Sequence, residues 1–255
     1  ELVYDLFTES FWKSHPLGRP IQGTAESVAA LGPETLMTFF REAYFPANVV
    51  IAAAGHLDSA RFVEMAREAF AAMPATGALR SVGPPQAQSG IVTREKKELE
   101  QLHLCLGVEA YQQGHPDRYT GYVMNTLLGG TMSSRLFQRI REERGLAYTV
   151  FSSINSFADT GHMIVYAATR PEGGQEVVAQ VCAELTHLRE APIAESEVSA
   201  ARDHLKGSLM LSLESSSSRM SNLARQDIYF KRQFSLDEII AGIDRVTAAE
   251  VQEAF

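Results

Sequence analysis

Between Leu127 and Ser153 the sequence LLGGTMSSRLFQRIREERGLAYTVFSS changes its apolar period within a few residues, and that change restricts the folds available to the whole chain. Gly129 and Gly130 close an apolar run. Ser133 or Ser134 can cap a new helix whose apolar stripe is Leu136, Phe137 and Ile140. Gly145 ends that helix as glycine does at a left-handed C-terminal cap. Beyond it the period becomes two, with Leu146, Tyr148 and Val150 expected on one strand face and Ala147, Thr149 and Phe151 on the other. Arg141 therefore falls in the last helical turn and Tyr148 just past the glycine, close enough for a guanidinium and a phenol to meet. On residue chemistry alone, an Arg there can complement the helix dipole and a strand Tyr can pack with its hydroxyl in water.

Reading outward from this stretch, Leu2 to Trp12 is a helix closed by the His15-Pro16-Leu17-Gly18 turn, in which an X-Pro turn accounts for His15. Thr24 caps a short helix carrying Val28 and Leu31. Pro33 opens the next one, which places Leu36, Phe39 and Phe40 inward. The run NVVIAAAG, Asn48 to Gly55, has no alternation and reads as a strand buried on both faces. Asp58 or Ser59 then starts a helix bearing Phe62, Met65, Ala66 and Phe70. Residues 74–90, with three prolines and three glycines, read as a linker.

The second part of the chain begins with two strands, Ile91 to Lys97 and Gln101 to Val108, and a helix over Asp117 to Leu128. After the central stretch comes a strand over Gly161 to Thr169 that pairs with Ala147 to Ile154. Helices follow at about 173–189, 194–216 and 217–231, and two short ones close the chain. Ala25 to Phe40 can be laid on Ile240 to Phe255 at a constant offset, so that Val28 falls on Ile243, Leu31 on Val246, Leu36 on Val251 and Phe40 on Phe255. This echo is what a duplicated domain would leave. The expected organisation is α+β: 1–73 as the later part of a first domain, 74–90 as linker, and 91–255 as a second domain whose last strand is missing.

Acidic residues outnumber basic ones 31 to 23 and the basic residues are scattered, which argues against nucleic acid as the main partner. No apolar run is long enough to span a bilayer. Cys105 and Cys182 lie far apart without metal-ligand spacing, and the sequence leaves open whether they pair. The seven histidines, at 15, 56, 103, 115, 162, 187 and 204, include no HxxEH or HExxH frame, so no metal ligand is assigned.

GGTMSSRLFQRIREERGLAYTVFSS resembles the second-half signature of the M16 metallopeptidases. HPLGRPIQGT at His15 to Thr24, FPANVVIAAAG at Phe45 to Gly55, LKGSLMLSLES at Leu205 to Ser215 and SRMSNLARQ at Ser218 to Gln226 resemble further landmarks of that family, in the same order. The resemblance implies two homologous halves, each a mixed sheet with helices on one side, closing around a peptide; here the first half would be incomplete. It implies a zinc endopeptidase acting on unfolded peptides, with zinc held by an HxxEH helix and a distal Glu that lie outside this chain, so that the chain alone is expected to be inactive. Carried over residue by residue, Tyr148 becomes the group that stabilises the oxyanion and Arg141 a clamp on the substrate. The turn Gly129-Gly130-Thr131-Met132 either lets substrate backbone pass close by or is simply a tight helix-to-helix turn. The runners-up are a noncatalytic subunit completing the site of a separate HxxEH-bearing chain, as a homodimer or heterodimer, and a structural subunit like the respiratory-complex core proteins. Acidic, cysteine-poor composition fits bacterial cytoplasm and periplasm equally.

Overall fold

The sheet is organised by its central strand. β3 (Gly161–Thr169) pairs antiparallel with β1 (Leu102–Glu109) on one side and β2 (Ala147–Ser156) on the other, in the order β1-β3-β2. The computed structural model describes residues 2–75, 77 and 82–255. β3 is buried along almost its whole length, consistent with its apolar sequence GHMIVYAAT and with cover on both faces.

One face carries Leu104, Leu106, Met163, Val165, Ala167 and Val150 into the main core. There they meet α5 (Arg118–Leu128), α6 (Gly174–Glu190), α7 (Glu195–Ser212), α9 (Leu236–Asp244) and α10 (Ala248–Glu253). Val177, Val181 and Leu188 line the inner side of α6 at helical spacing, and Val123, Leu127 and Leu128 do so on α5. α9 and α10 each start with a capping box, from Ser235 with Glu238 and from Thr247 with Glu250.

The other face is covered by α1 (Leu2–Phe11). Tyr4 stacks on Tyr166 with ring centroids 5.5 Å apart, and Phe7 lies 5.3 Å from His162. Gly107 makes room for this helix: a Cβ there would fall 2.3 Å from two carbons of the Phe7 ring. Trp12, just beyond the helix, is fully buried. Pro16–Gly18 then forms a single 3-10 turn, capped by His15 Nδ1 accepting from the Leu17 N–H at 3.1 Å.

These elements form one compact unit of Glu1–Arg19, Pro84–Leu209 and Phe234–Phe255; Pro20–Gly83 and Met210–Gln233 form a second. α1 thus belongs with the sheet rather than with the residues that follow it. The second unit contains α2 (Ala25–Ala29), α3 (Pro33–Ala43), α4 (Ser59–Ala69) and α8 (Ser216–Phe230). Thr24 with Ser27 and Asp58 cap α2 and α4 as their chemistry predicts.

Several expectations fail here. Leu36, Phe39 and Phe40 are exposed, not inward, and Leu36 shows 55% of its surface. Asn48 to Gly55 follows a 3-10 turn (Pro46–Asn48) as extended chain, but joins no ladder; Val50 and Ile51 are exposed. A strand buried on both faces requires a neighbouring strand and two covering layers, and no described residue supplies them. Ile91 to Lys97 is likewise unpaired, with four of its seven residues charged and Ile91 wholly in solvent. The only sheet among the described residues is therefore antiparallel and three-stranded, where mixed sheets in two domains had been expected. No described helix is long and apolar enough to cross a membrane.

The internal echo has a structural counterpart in the helix ends. The C-caps Ala30 and Arg245, the N-caps Gly32 and Thr247, and the first helical residues Pro33 and Ala248 all correspond at the same offset. Burial does not follow: Ile243, Val246 and Val251 are core residues, whereas their counterparts Val28, Leu31 and Leu36 are exposed.

Candidate functional site

The helix after the Gly-Gly turn is not an ordinary one. Arg135 and Leu136 begin it in α form, and Phe137–Glu142 continue as a π-helix. The Glu143 N–H reaches the Gln138 carbonyl at 2.9 Å, the wider closure such a turn requires. Ser134 starts it by accepting the Gln138 N–H on its carbonyl, while its hydroxyl donates back to the Thr131 carbonyl. Gly145 ends it at φ +61°, with its N–H on the Arg141 carbonyl and the Leu146 N–H on that of Ile140. Leu136 and Ile140 point into the core with no exposed surface. Phe137 and Arg141 lie on another side, with the guanidinium carbon 4.8 Å from the Phe137 ring centre.

Tyr148 is delivered by an irregularity. Ala147 pairs with Thr169 and Thr149 with Ala168, so Tyr148 is an extra residue on β2, a β-bulge. Strict alternation had placed Ala147 and Val150 on opposite faces; both are buried in the core, because the bulge shifts the phase between them. The extra residue is turned outward, and Tyr148 is 73% exposed at the end of a strand that is otherwise largely covered. Its ring centre lies 5.8 Å from the Arg141 guanidinium carbon. Arg141 is thus within reach of two aromatic rings, a favourable setting for a delocalised cation. Its remaining charge partner is Glu142, with Nε 3.8 Å from the carboxylate. An exposed phenol beside a half-exposed guanidinium offers several N–H and O–H donors to one acceptor-rich group.

The four residues of the turn part ways. Gly129 is buried, and a Cβ on it would lie 2.5 Å from the Ser152 nitrogen; its carbonyl accepts that N–H at 3.0 Å. Its missing side chain therefore makes room for β2. Gly130 is exposed, Thr131 half-buried with its hydroxyl 3.0 Å from that of Ser133, and Met132 is 74% exposed.

Two ion pairs that sequence reading passed over fasten the π-helix to its neighbours. Arg135 donates from Nε and Nη2 to Glu197 on α7 at 2.8 and 3.1 Å, and Arg139 donates to Glu184 on α6. The partners lie tens of residues downstream, so no local pattern could reveal them. Phe137 had been read only as part of an apolar stripe, and its role as a shelf for Arg141 depends on the π geometry.

Among the described residues, no group of three His, Cys, Asp or Glu side chains could hold a metal ion. His162 is buried among Phe7, Phe11, Trp12 and Phe157, and burial lowers its pKa to about 4. Burial also pushes the Cys105 thiol up to about 11; both cysteines are free. The described residues thus offer no site that fits zinc.

Comparison with known proteins identifies the family. An uncharacterized zinc protease of Bacillus subtilis, YmxG, is 36% identical over 251 residues, which cover 98% of this chain and 61% of the relative. An uncharacterized zinc protease of Mycobacterium tuberculosis is 37% identical over 256 residues, covering 98% of this chain and 58% of the relative. The chain therefore spans about three-fifths of the length of these relatives. The crystal structure of a peptidase M16 inactive domain from Pseudomonas fluorescens superposes with a TM-score of 0.90 at 24% identity, over 99% of this chain and 61% of that one. A chain of complex III2 from Candida albicans gives 0.87 at 23% identity, over 99% and 62%. At these identities the two structures establish a shared fold. Residues 30–205 match the family described as the peptidase M16 inactive domain, and with most of its length inside that match the chain belongs to the M16 peptidase family.

Proposed function

We propose that this chain is the substrate-holding part of an M16-type zinc endopeptidase for unfolded peptides, with Arg141 and Tyr148 as the groups that touch substrate. The observation that carries the reading is the 5.8 Å approach of a half-exposed guanidinium to a 73% exposed phenol, produced by a π-helix and a β-bulge in adjoining segments. Both irregularities cost regular hydrogen bonding, and such costs concentrate where a side chain has a task.

In this reading Arg141 donates to a backbone carbonyl of the extended peptide and holds it in register. Tyr148 donates its O–H to the oxygen of the scissile carbonyl as negative charge develops there, an effect of roughly 3–4 kcal/mol for a preorganised donor. Gly130, Thr131 and Met132 offer the peptide an accessible edge beside them, with Gly129 fixing the turn from within. Zinc, named in the relatives, would be held by residues outside this chain. The relatives' greater length leaves room for such a segment in the same polypeptide, although a separate subunit could carry it equally well.

The domain reading is proposed on the same footing. α2 and α3 reproduce the caps and phase of α9 and α10, yet leave bare the residues whose counterparts are buried. The second unit is therefore proposed to be part of a homologous half whose remaining core lies elsewhere.

In the intact or reconstituted enzyme, Tyr148→Phe should lower kcat far more than it raises KM, because the hydroxyl acts mainly in the transition state. Unchanged turnover would remove the assigned role. Expression with and without an HxxEH-bearing partner then separates a single-polypeptide enzyme from a two-subunit one.

A further inference from the structure

The inner stripe of α6 runs Val177, Val181, Glu184, Leu188, and the third member is a carboxylate. The Glu184 side chain retains only 5% of its exposure, and among the described residues its second oxygen, Oε2, has no hydrogen-bond partner. Its one partner among them is Arg139, in the middle of the π-helix. A stripe position of this kind normally holds an apolar residue. A buried ion pair is a weak contributor to stability, because desolvation offsets most of the attraction. Packing therefore does not account for a carboxylate there.

Its position does. The segment 135–142 divides its side chains three ways: Leu136 and Ile140 into the core, Arg135 and Arg139 to α7 and α6, Phe137 and Arg141 toward Tyr148. Apolar packing of Leu136 and Ile140 fixes how deep the helix lies but tolerates rotation about its axis. The two arginine pairs, four residues apart and held by different helices, restrict that rotation. A π turn is rare and occurs mostly as a short insertion in an α-helix, frequently at functional sites, so restraint from neighbouring helices is in keeping with one here.

We propose that Glu184, with Glu197 in support, is a positioning residue: through Arg139 it sets the rotation of the π-helix and so keeps the Arg141 guanidinium against Tyr148. The proposal rests on the site reading above for its functional meaning, although the geometric part can be tested by itself.

The readout is the side-chain Nε–H resonance of Arg141 in the 255-residue chain. Lying near two aromatic rings, it should be displaced by their ring currents, and Phe137→Leu and Tyr148→Leu identify the source. Replacing the pair together, Arg139→Met with Glu184→Leu, removes both charges and leaves an apolar stripe, so the melting temperature should hold or rise. The displacement should nevertheless fall by more than half. A displacement retained in that variant overturns the proposal. Should the double variant not fold, Glu184→Gln keeps the volume, removes the charge and carries the same expectation.

The functional arm uses the intact enzyme. There the double variant should lower kcat/KM by about tenfold, the scale of one lost charge-assisted contact. Adding Arg141→Ala to it should cost no more than Arg141→Ala alone, and full additivity counts against positioning. If Arg141→Ala has no effect on turnover, the reading of the site falls, while the resonance of Arg141 still decides whether Glu184 sets its place.

Discussion

Gly129→Ala tests the claim that this glycine is needed for space rather than for backbone freedom. Its φ of −155° lies outside the left-handed region that favours glycine. The space is another matter. The new Cβ would sit 2.5 Å from the Ser152 nitrogen, 2.7 Å from its Oγ and 2.9 Å from its Cβ. Ordinary contact begins at about 3.4 Å, so β2 and the end of α5 must separate by nearly an ångström. That movement strains two hydrogen bonds: the Ser152 N–H to the Gly129 carbonyl at 3.0 Å, and the Ser152 hydroxyl to the Asn125 carbonyl at 3.2 Å. At about 1 kcal/mol each, together with about 1–3 kcal/mol for overpacking, the loss should be about 3–5 kcal/mol. Urea denaturation followed by circular dichroism should show a lower midpoint at unchanged slope. Gly114→Ala is the control, since nothing lies within 4 Å of a Cβ built there, and it should cost clearly less. A loss below about 1 kcal/mol for Gly129→Ala would refute the reasoning, because clashes that small can be absorbed by relaxation.

Acid should weaken the contact between α1 and the sheet. His162 has an ordinary pKa of about 6.5 when unfolded and about 4 when buried in the fold, so between those values the unfolded chain binds a proton that the folded one refuses. Stability is then undiminished above about pH 6.5, falls as the pH drops toward 4 by on the order of 2 kcal/mol, and levels off below; His162→Gln should remove this share of the slope, and an unchanged slope would contradict it. Gly207→Ala should act in the opposite direction. Gly207 lies within α7 with nothing within 4 Å of a new Cβ, so a gain of about 0.5–1 kcal/mol is expected in the same denaturation assay, and any loss would contradict it.

What the sequence revealed and what it hid divide along a physical line. The capped helices, the β2–β3 hairpin and the left-handed glycine at 145 were legible because each depends on residues close in sequence. The bulge at Tyr148 was not, since a two-residue period carries no mark of one inserted residue until the partner strand is known. The π-helix was hidden for the same reason: its apolar residues fit an α stripe equally well. Leu36, Phe39 and Val50 were misplaced because an apolar pattern says that a face should be covered but not whether its cover lies in the same chain. Arg141 and Tyr148 were picked out by their place in a resembling motif, whereas Glu184, which pairs with Arg139 in the π-helix, looked like an ordinary member of an acidic helix.

The π-helix also makes the site sensitive to insertion and deletion. A π segment carries one residue more than the α turn it replaces, so dropping a single residue between Phe137 and Glu142 would let the segment anneal into a regular helix with better hydrogen bonds. Each residue of a regular helix turns by about 100°, so the deletion would swing the downstream guanidinium away from the phenol while every other chemical group survived. A homologue could lose this pairing through one missing codon and, with arginine and tyrosine both still present, show it only as a one-residue gap.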